Sequence, residues 1–252
     1  DIATAGLADL AVPCETLIDG GRLPVDSAIA YTNILAENPE FGRHLLSDVY
    51  VARTCTIDPI MLRRFDNDAV LYGGDEFLVA AGGRLVREQI PPYLADAPQR
   101  LQQLLAAWRP TTRVTDECLL AARYGVYTWG HWLDELLPRI VLAETRFPGR
   151  FRFILPLRLV TQSDSDTPMI RARETLQAYG IDRRRVLPLQ PSMNYQFARL
   201  YAISSVWSDH IMHPAAAALM RDRLSMPPEG PPGADRRIGL VRIGEGRNIA
   251  NL

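Results

Sequence analysis

Phe151-Arg152-Phe153-Ile154-Leu155-Pro156-Leu157-Arg158-Leu159-Val160 is the stretch whose reading decides the fold. A run so rich in Phe, Ile, Leu and Val reads as a strand buried on both faces. Its flanks make it decisive. Upstream, Leu133, Leu136, Leu137, Ile140 and Val141 recur at helical spacing within a helix expected from about Gly130 to Thr145. Downstream, Asp166 or Thr167 can cap a helix with Pro168 at its first position, ending before Gly180. Further out, Cys118-Leu119-Leu120-Ala121-Ala122, Val186-Leu187-Pro188-Leu189 and Ala198 to Ser204 read as strands, and His213-Pro214 opens a helix running to about Leu224. Strands alternating with helices predict βαβ units around a parallel sheet, an α/β fold.

Before this core, residues 1–60 carry scattered Gly and Pro and give no clear periodicity. From Asp68 short apolar runs take over. Ala69-Val70-Leu71-Tyr72 precedes Gly73-Gly74, and Glu76-Phe77-Leu78-Val79 faces Arg84-Leu85-Val86 across Ala80-Ala81-Gly82-Gly83, which predicts a β-hairpin region near 68–90. Leu101, Leu104, Leu105 and Trp108 then mark an amphipathic helix that Pro110 stops.

Met226-Pro227-Pro228-Glu229-Gly230-Pro231-Pro232-Gly233 holds four Pro and two Gly in eight residues and can continue neither a helix nor a central strand. The expected organisation is therefore an α/β domain over 1–226, a linker over 227–236, and the start of a second domain over 237–252, where Arg237 to Ile243 reads as a strand. The chain starts at Asp1 and stops just after that strand, which fits a fragment.

Composition sets outer bounds. The 252 residues carry 28 basic and 29 acidic side chains, and every basic one is Arg. A formal charge of −1 gives no global field for nucleic acid, so none is expected as a partner. Absence of Lys excludes Schiff-base chemistry and a P-loop lysine. Hydrophobic residues at 47% supply a substantial core. Cys14, Cys55 and Cys118 are odd in number and form no CxxC, which fits a reducing compartment, and no apolar run reaches the length of a membrane span. A cytoplasmic location is the expectation.

The chemistry concentrates in Tyr127-Thr128-Trp129-Gly130-His131-Trp132-Leu133-Asp134-Glu135-Leu136-Leu137-Pro138-Arg139. On a helix, His131 and Glu135 point away from the apolar stripe and Asp134 sits on its flank. His131 is then a functional group, a solvent-exposed one, or one covered by another element. Pro138 cannot bond the carbonyl of Asp134, so the helix should bend or begin irregularly there. Imidazole and carboxylate at i, i+3 are surface neighbours, which suits a general base tuned by its partner. Trp129 and Trp132 could stack on a sugar ring or simply belong to the core.

With these residues in view, the sequence resembles the family 61 glycosyltransferases, which include bacterial capsular-polysaccharide biosynthesis proteins. Gly130-His131-Trp132-Leu133-Asp134-Glu135-Leu136-Leu137-Pro138-Arg139 matches the family's His helix, and Arg236-Arg237-Ile238-Gly239-Leu240-Val241-Arg242 followed by Arg247-Asn248-Ile249-Ala250-Asn251 is similar to its Arg strand and turn. Val241 stands where the family usually has Ser, Asn248 interrupts the Arg pair, and Leu252 replaces a Glu.

The resemblance, over roughly residues 60–252, implies a GT-B architecture: a Rossmann-type N-terminal acceptor-side domain with a β-rich N-terminal segment, plus the first strand of a second, nucleotide-sugar-binding Rossmann-like domain. It implies inverting, metal-independent transfer of a sugar from a nucleotide-sugar co-substrate to a glycan or polysaccharide acceptor, with no further cofactor. His131 or Asp134 is then the base, the other orienting it. Arg242 and Arg247 become the donor-diphosphate residues, and Trp129, Trp132 and His210 line the acceptor site. Peripheral membrane association would come through the acceptor. A chain stopping at this point is expected to be inactive alone. A non-catalytic glycan-binding or scaffolding domain of the same fold is the alternative.

Three further signals carry less. Asp209-His210-Ile211-Met212-His213 has metal-ligand spacing but no third ligand nearby, so capping or cleft lining fits better than a metal. Arg183-Arg184-Arg185 has the look of a phosphate clamp but reads more simply as a solvated turn. Gly244-Glu245-Gly246 lacks the rest of a phosphate loop.

Overall fold

The structure, a computed structural model, describes residues 2–24, 54–66, 68–73, 78–121, 131–157, 167–208, 211–223, 240–242 and 249–251. The chain opens with β1 (Thr4–Ala5), the short helix α1 (Leu7–Leu10), β2 (Ala11–Ile18) and β3 (Gly21–Pro24). β4 (Thr54–Ile57), β5 (Ile60–Phe65), β6 (Ala69–Leu71), β7 (Val79–Ala81) and β8 (Arg84–Val86) follow. Residues 1–60, opaque to periodicity, thus contribute strands. The reason shows in β2, where Val12, Pro13 and Cys14 are all exposed and no apolar alternation survives.

The hairpin expectation holds for β7 and β8, but Ala80 and Ala81, expected in the turn, belong to β7 and leave a two-residue turn. Ala80 pairs with Leu85 and Ala81 with Arg84, across Gly82 and Gly83 at φ 54° and 75°. Both turn residues sit in the left-handed region that glycine enters without strain, as a two-residue hairpin turn demands. Residues 74–77 lie outside the described set, so the expected strand at Glu76-Phe77 is described only from Leu78 onward.

Two helices, α2 (Pro92–Ala95) and α3 (Pro98–Ala106), come next. The amphipathic helix expected at Leu101 to Trp108 is real but ends early. Ala107 is already extended, and Trp108 is 87% exposed rather than on the apolar face. Pro110 forces the chain out of the helix before the i+7 position can be used.

The centre of the molecule is then β9 (Thr111–Leu120), α4 (Leu137–Arg146), β10 (Arg152–Pro156), α5 (Thr167–Ala178), β11 (Val186–Leu189) and β12 (Asn194–Ile203). The strands β12, β9, β10 and β11 lie side by side, all parallel. On the far side of β12 the pairing turns antiparallel, through β6, β7 and β8, with β5 and β2 branching from β12. The fold is therefore mixed α/β with one ten-stranded sheet, parallel in one half and antiparallel in the other except at its edge, where β1 pairs with β8 in parallel.

Two strands begin earlier than expected. The apolar run of β9 is only its last third; its first residues, Thr111, Thr112 and Arg113, are exposed. They still pair with β12, Asn194 opposite Thr111 and Gln196 opposite Arg113. Strand pairing uses backbone groups and does not need buried side chains on both faces. Tyr195 and Phe197 likewise extend β12 before Ala198. At the mouth of β12, Gly73 runs so close to the neighbouring chain that a Cβ would sit 1.9 Å from the carbonyl oxygen of Met193. Only glycine permits that approach.

The core is continuous across the sheet and α4. Leu136, Leu137, Ile140, Val141 and Ala143 are fully buried against Leu119, Phe153 and Phe197. Leu133, the first residue of the expected stripe, packs on the edge of the same cluster.

After β12 come the two-residue pair β13 (Trp207–Ser208) and β14 (Ile211–Met212), then α6 (Pro214–Arg223). The proline-rich linker lies outside the described residues. Within the Arg237 to Ile243 segment, β15 (Leu240–Arg242) pairs antiparallel with β16 (Ile249–Asn251).

Candidate functional site

The segment from His131 to Pro138 does what proline chemistry requires. His131 enters with helical backbone angles, and Trp132–Leu136 forms one wide π-turn in which the Leu137 N–H donates to the Trp132 carbonyl. α4 begins immediately after it, with Pro138 in its first turn. A proline there leaves the carbonyl four residues back without its donor, and the extra residue of a π-turn absorbs the mismatch. The irregularity expected at Asp134 is thus present. Such turns are common at functional sites.

His131 is 40% exposed at the side chain, and its Nδ1 lies 2.7 Å from Oε1 of Glu135. A carboxylate can only accept, so Nδ1 carries the hydrogen and Nε2 is the basic nitrogen of the neutral ring. The partner is Glu135 at i+4. Asp134 sits in the π-turn, and its side chain, with the i+3 pairing expected for it, lies outside the described part of the structure.

Trp132 belongs to the core. It is 1% exposed, and its Nε1 donates to Thr175 Oγ1 at 2.9 Å, tying the π-turn to α5. No face of that ring is open to a sugar, which overturns its expected place in the acceptor lining. Trp129, His210 and Arg247 lie outside the described residues. Arg242 is the last residue of β15. Of the seven expected site residues, only His131 is therefore placed with its side chain at a surface position suited to chemistry.

A cavity of about 510 Å³ opens at the carboxyl ends of β9 and β12. Leu120, Ala202, Ile203, Ser204 and Ser205 form its strand-end wall, and Arg139 enters from α4. Arg63 and Asp58 from around β5, and Glu88 and Gln89 after β8, form the polar side, and Met61 adds an apolar surface beside them. Its position has a topological reason. From β9 the chain steps outward to β10 and β11, and β12 returns on the other flank of β9. Ligands in α/β sheets favour the crevice outside the carboxyl ends of strands where the order reverses in this way. His131 is not part of the cavity wall. Arg139, eight residues further along the same helical segment, is.

The sequence alone gave no site role to Arg139, Arg63, Gln89 or Ser204. A usable signal existed for Ser204 and Ser205. They follow directly on an apolar strand, where strand-end polar residues face a crevice. Nothing in the local sequence marks Arg63, on β5, or Gln89, in the turn after β8; both strands are laid beside the parallel half by long-range pairing.

Other expectations near the site resolve structurally. His213 is buried, its Nδ1 accepts from the Ala215 N–H at 3.2 Å, and its Nε2–H donates to the Asp19 carbonyl at 3.0 Å. It caps α6, as the capping reading foresaw. Arg185 is not a solvated clamp residue. Its guanidinium bonds the Phe151 carbonyl, pairs with Glu144 and lies over the Phe153 ring. Among the described residues no group of three or more His, Cys, Asp or Glu comes together to hold a metal ion, and no helix is long and apolar enough to cross a membrane.

No protein-family model, curated protein or solved structure matches this chain.

Proposed function

We propose that this chain is the acceptor-side part of a glycosyltransferase of the family 61 type, moving a sugar from a nucleotide-sugar donor to a glycan or polysaccharide acceptor with inversion and without a metal. The observation that carries the reading is the His131–Glu135 pair at the π-turn that follows β9. An imidazole whose Nδ1–H is held by a carboxylate presents Nε2 as a base, and inversion needs one base on the acceptor hydroxyl and no covalent intermediate. Glu135 takes the orienting role that the motif alone assigned to the other member of the His131 and Asp134 pair. Asp134 remains the competing base. Arg242 and Arg247 are proposed to neutralise the departing diphosphate, a task suited to planar, permanently charged guanidinium groups. In this reading β15 belongs to the donor-side half of a GT-B cleft, and the protein works in the cytoplasm beside a membrane-held acceptor.

The test is a panel of nucleotide sugars offered to the full-length protein, with calorimetry for binding and nucleoside-diphosphate release for turnover. The reading expects one donor to bind and to be transferred or slowly hydrolysed. If the full-length protein binds glycans while ignoring every nucleotide sugar, the chain is a glycan-binding module instead. The mixed donor and acceptor lining of the cavity is the observation that gives this second reading its weight.

A further inference from the structure

Trp132 stands next to His131 in the chain and is the first residue of the π-turn. Its carbonyl accepts the Leu137 N–H that closes the turn, and its ring is buried in the main core. An indole N–H buried so deeply needs an acceptor. Thr175 of α5 supplies it, with Oγ1 2.9 Å from Trp132 Nε1. The hydroxyl is committed in both of its roles. Its own hydrogen goes to the Ala172 carbonyl at 2.9 Å, three residues back in α5, which leaves an oxygen lone pair for the indole. Just past α5, the Tyr179 O–H donates to the Met220 carbonyl of α6 at 3.2 Å, so the element that carries the acceptor is itself tied down.

The consequence falls on His131. A π-turn closes over one residue more than an α-helical turn. Pro138 forces an irregular turn ahead of α4 but does not choose the residue at which it starts. The indole bond does, because it fixes Trp132 against α5. Glu135 lies inside the turn that Trp132 opens. The 2.7 Å between His131 Nδ1 and Glu135 Oε1 therefore depends on the turn keeping both its width and its starting residue.

We propose that Thr175 is a positioning residue for His131. By holding the Trp132 indole it keeps the π-turn in the register at which Glu135 takes the Nδ1–H, and Nε2 is left as the basic nitrogen. The value of this for sugar transfer rests on the glycosyltransferase reading; the geometry that Thr175 controls does not.

The experiment reads the tautomer directly, by long-range nitrogen–proton NMR of the full-length protein carrying isotope-labelled histidine. Spectra are taken at a pH where the ring is neutral, without donor or acceptor, and His131 is assigned from the signals lost in His131→Ala. The wild type should show His131 mainly as the Nδ1–H form. Thr175→Val keeps the shape of the side chain and removes the acceptor. It should lower the ratio of Nδ1–H to Nε2–H form about fivefold, while Thr175→Ser keeps the wild-type ratio. Trp132→Phe removes the donor and should have the same effect; combined with Thr175→Val it should add nothing, since both delete one bond. It also serves if Thr175→Val does not fold. Melting temperatures taken alongside separate positioning from plain stability. Three outcomes overturn the proposal: wild-type His131 is mainly the Nε2–H form, both variants melt lower yet keep the wild-type ratio, or Thr175→Ser behaves like Thr175→Val. A full-length protein that transfers no sugar would end the transfer reading and leave these spectra as they are. In a protein that does transfer, Thr175→Val should lower kcat about tenfold and leave KM within about twofold.

Discussion

Two ionic clusters sit near β9 and differ in almost every respect. Glu117 of β9, Tyr201 of β12 and Arg150 ahead of β10 form a closed triangle. Arg150 donates to both Glu117 oxygens at 2.9 and 3.3 Å, and to the Tyr201 hydroxyl oxygen at 3.1 Å, while the Tyr201 O–H donates to Glu117 at 2.8 Å. The Arg150 guanidinium also lies over the rings of Phe147, Phe151 and Tyr201. His131 and Glu135 form an i, i+4 pair at 2.7 Å, with the imidazole 40% exposed. The protonation equilibria follow the first cluster. The hydrogen bond from Arg150 holds Glu117 below the usual carboxylate range, the bond to Glu117 raises Arg150, and burial raises Tyr201. Perturbed titration here marks a staple between strands, since each perturbed group spends its polar atoms on the others. Strong mutual satisfaction is what structure needs and what a reacting group cannot have.

Four experiments would break or sharpen this contrast. Arg150→Met should have the largest effect, removing charge-assisted bonds and ring contacts at once. We expect a loss of about 2 kcal/mol, discounted for partial exposure, and a melting temperature roughly 5 °C lower, with any activity per folded molecule unchanged. An activity loss without destabilisation would reverse the roles of the two clusters. Next comes Glu135→Gln. It should lower turnover about tenfold, equivalent to ~1.4 kcal/mol, while the melting temperature moves by no more than about 1 °C. The third concerns acid. A carboxylate whose folded pKa is depressed stabilises the fold above its ordinary unfolded value, and that contribution disappears as pH falls through the depressed value. Wild type should therefore lose stability below the ordinary glutamate range more steeply than Glu117→Gln, as read from denaturant midpoints at stepped pH. The smallest effect is on thiols. Cys118 is fully buried, and desolvation pushes its pKa up to about 12, whereas Cys14 is exposed. Site-resolved mass spectrometry after mild alkylation should find Cys14 modified and Cys118 intact in the native state.

The same contrast explains which parts of the molecule were legible in the sequence. Elements whose apolar residues are local, such as α4 and β11, are readable because their burial is set by their own pattern, and α5 is readable from its capping residues, Pro168 and the stop before Gly180. The π-turn is readable because a single proline forces it. β2 and the first residues of β9 are not readable. Their place comes from pairing with distant partners, Ala11 with Phe65 and Thr111 with Asn194, and no local periodicity encodes it. Trp108 shows the limit of periodicity itself, since spacing placed it on a face that the helix does not reach. At the site, the His131 motif was visible, while Glu135 as its partner at i+4 was not singled out, because attention fell on the i+3 carboxylate. Arg63 and Gln89 were invisible, being brought to the cavity by the antiparallel half of the sheet.

The central claim is that a base on the segment after β9 removes a proton from an acceptor hydroxyl. Single-turnover transfer by the full-length protein, comparing wild type with His131→Ala and Asp134→Ala at saturating donor, tests it most directly. The account predicts a loss of at least 100-fold for His131→Ala, with melting temperature preserved, and a smaller loss for Asp134→Ala. Wild-type turnover in both variants would contradict it.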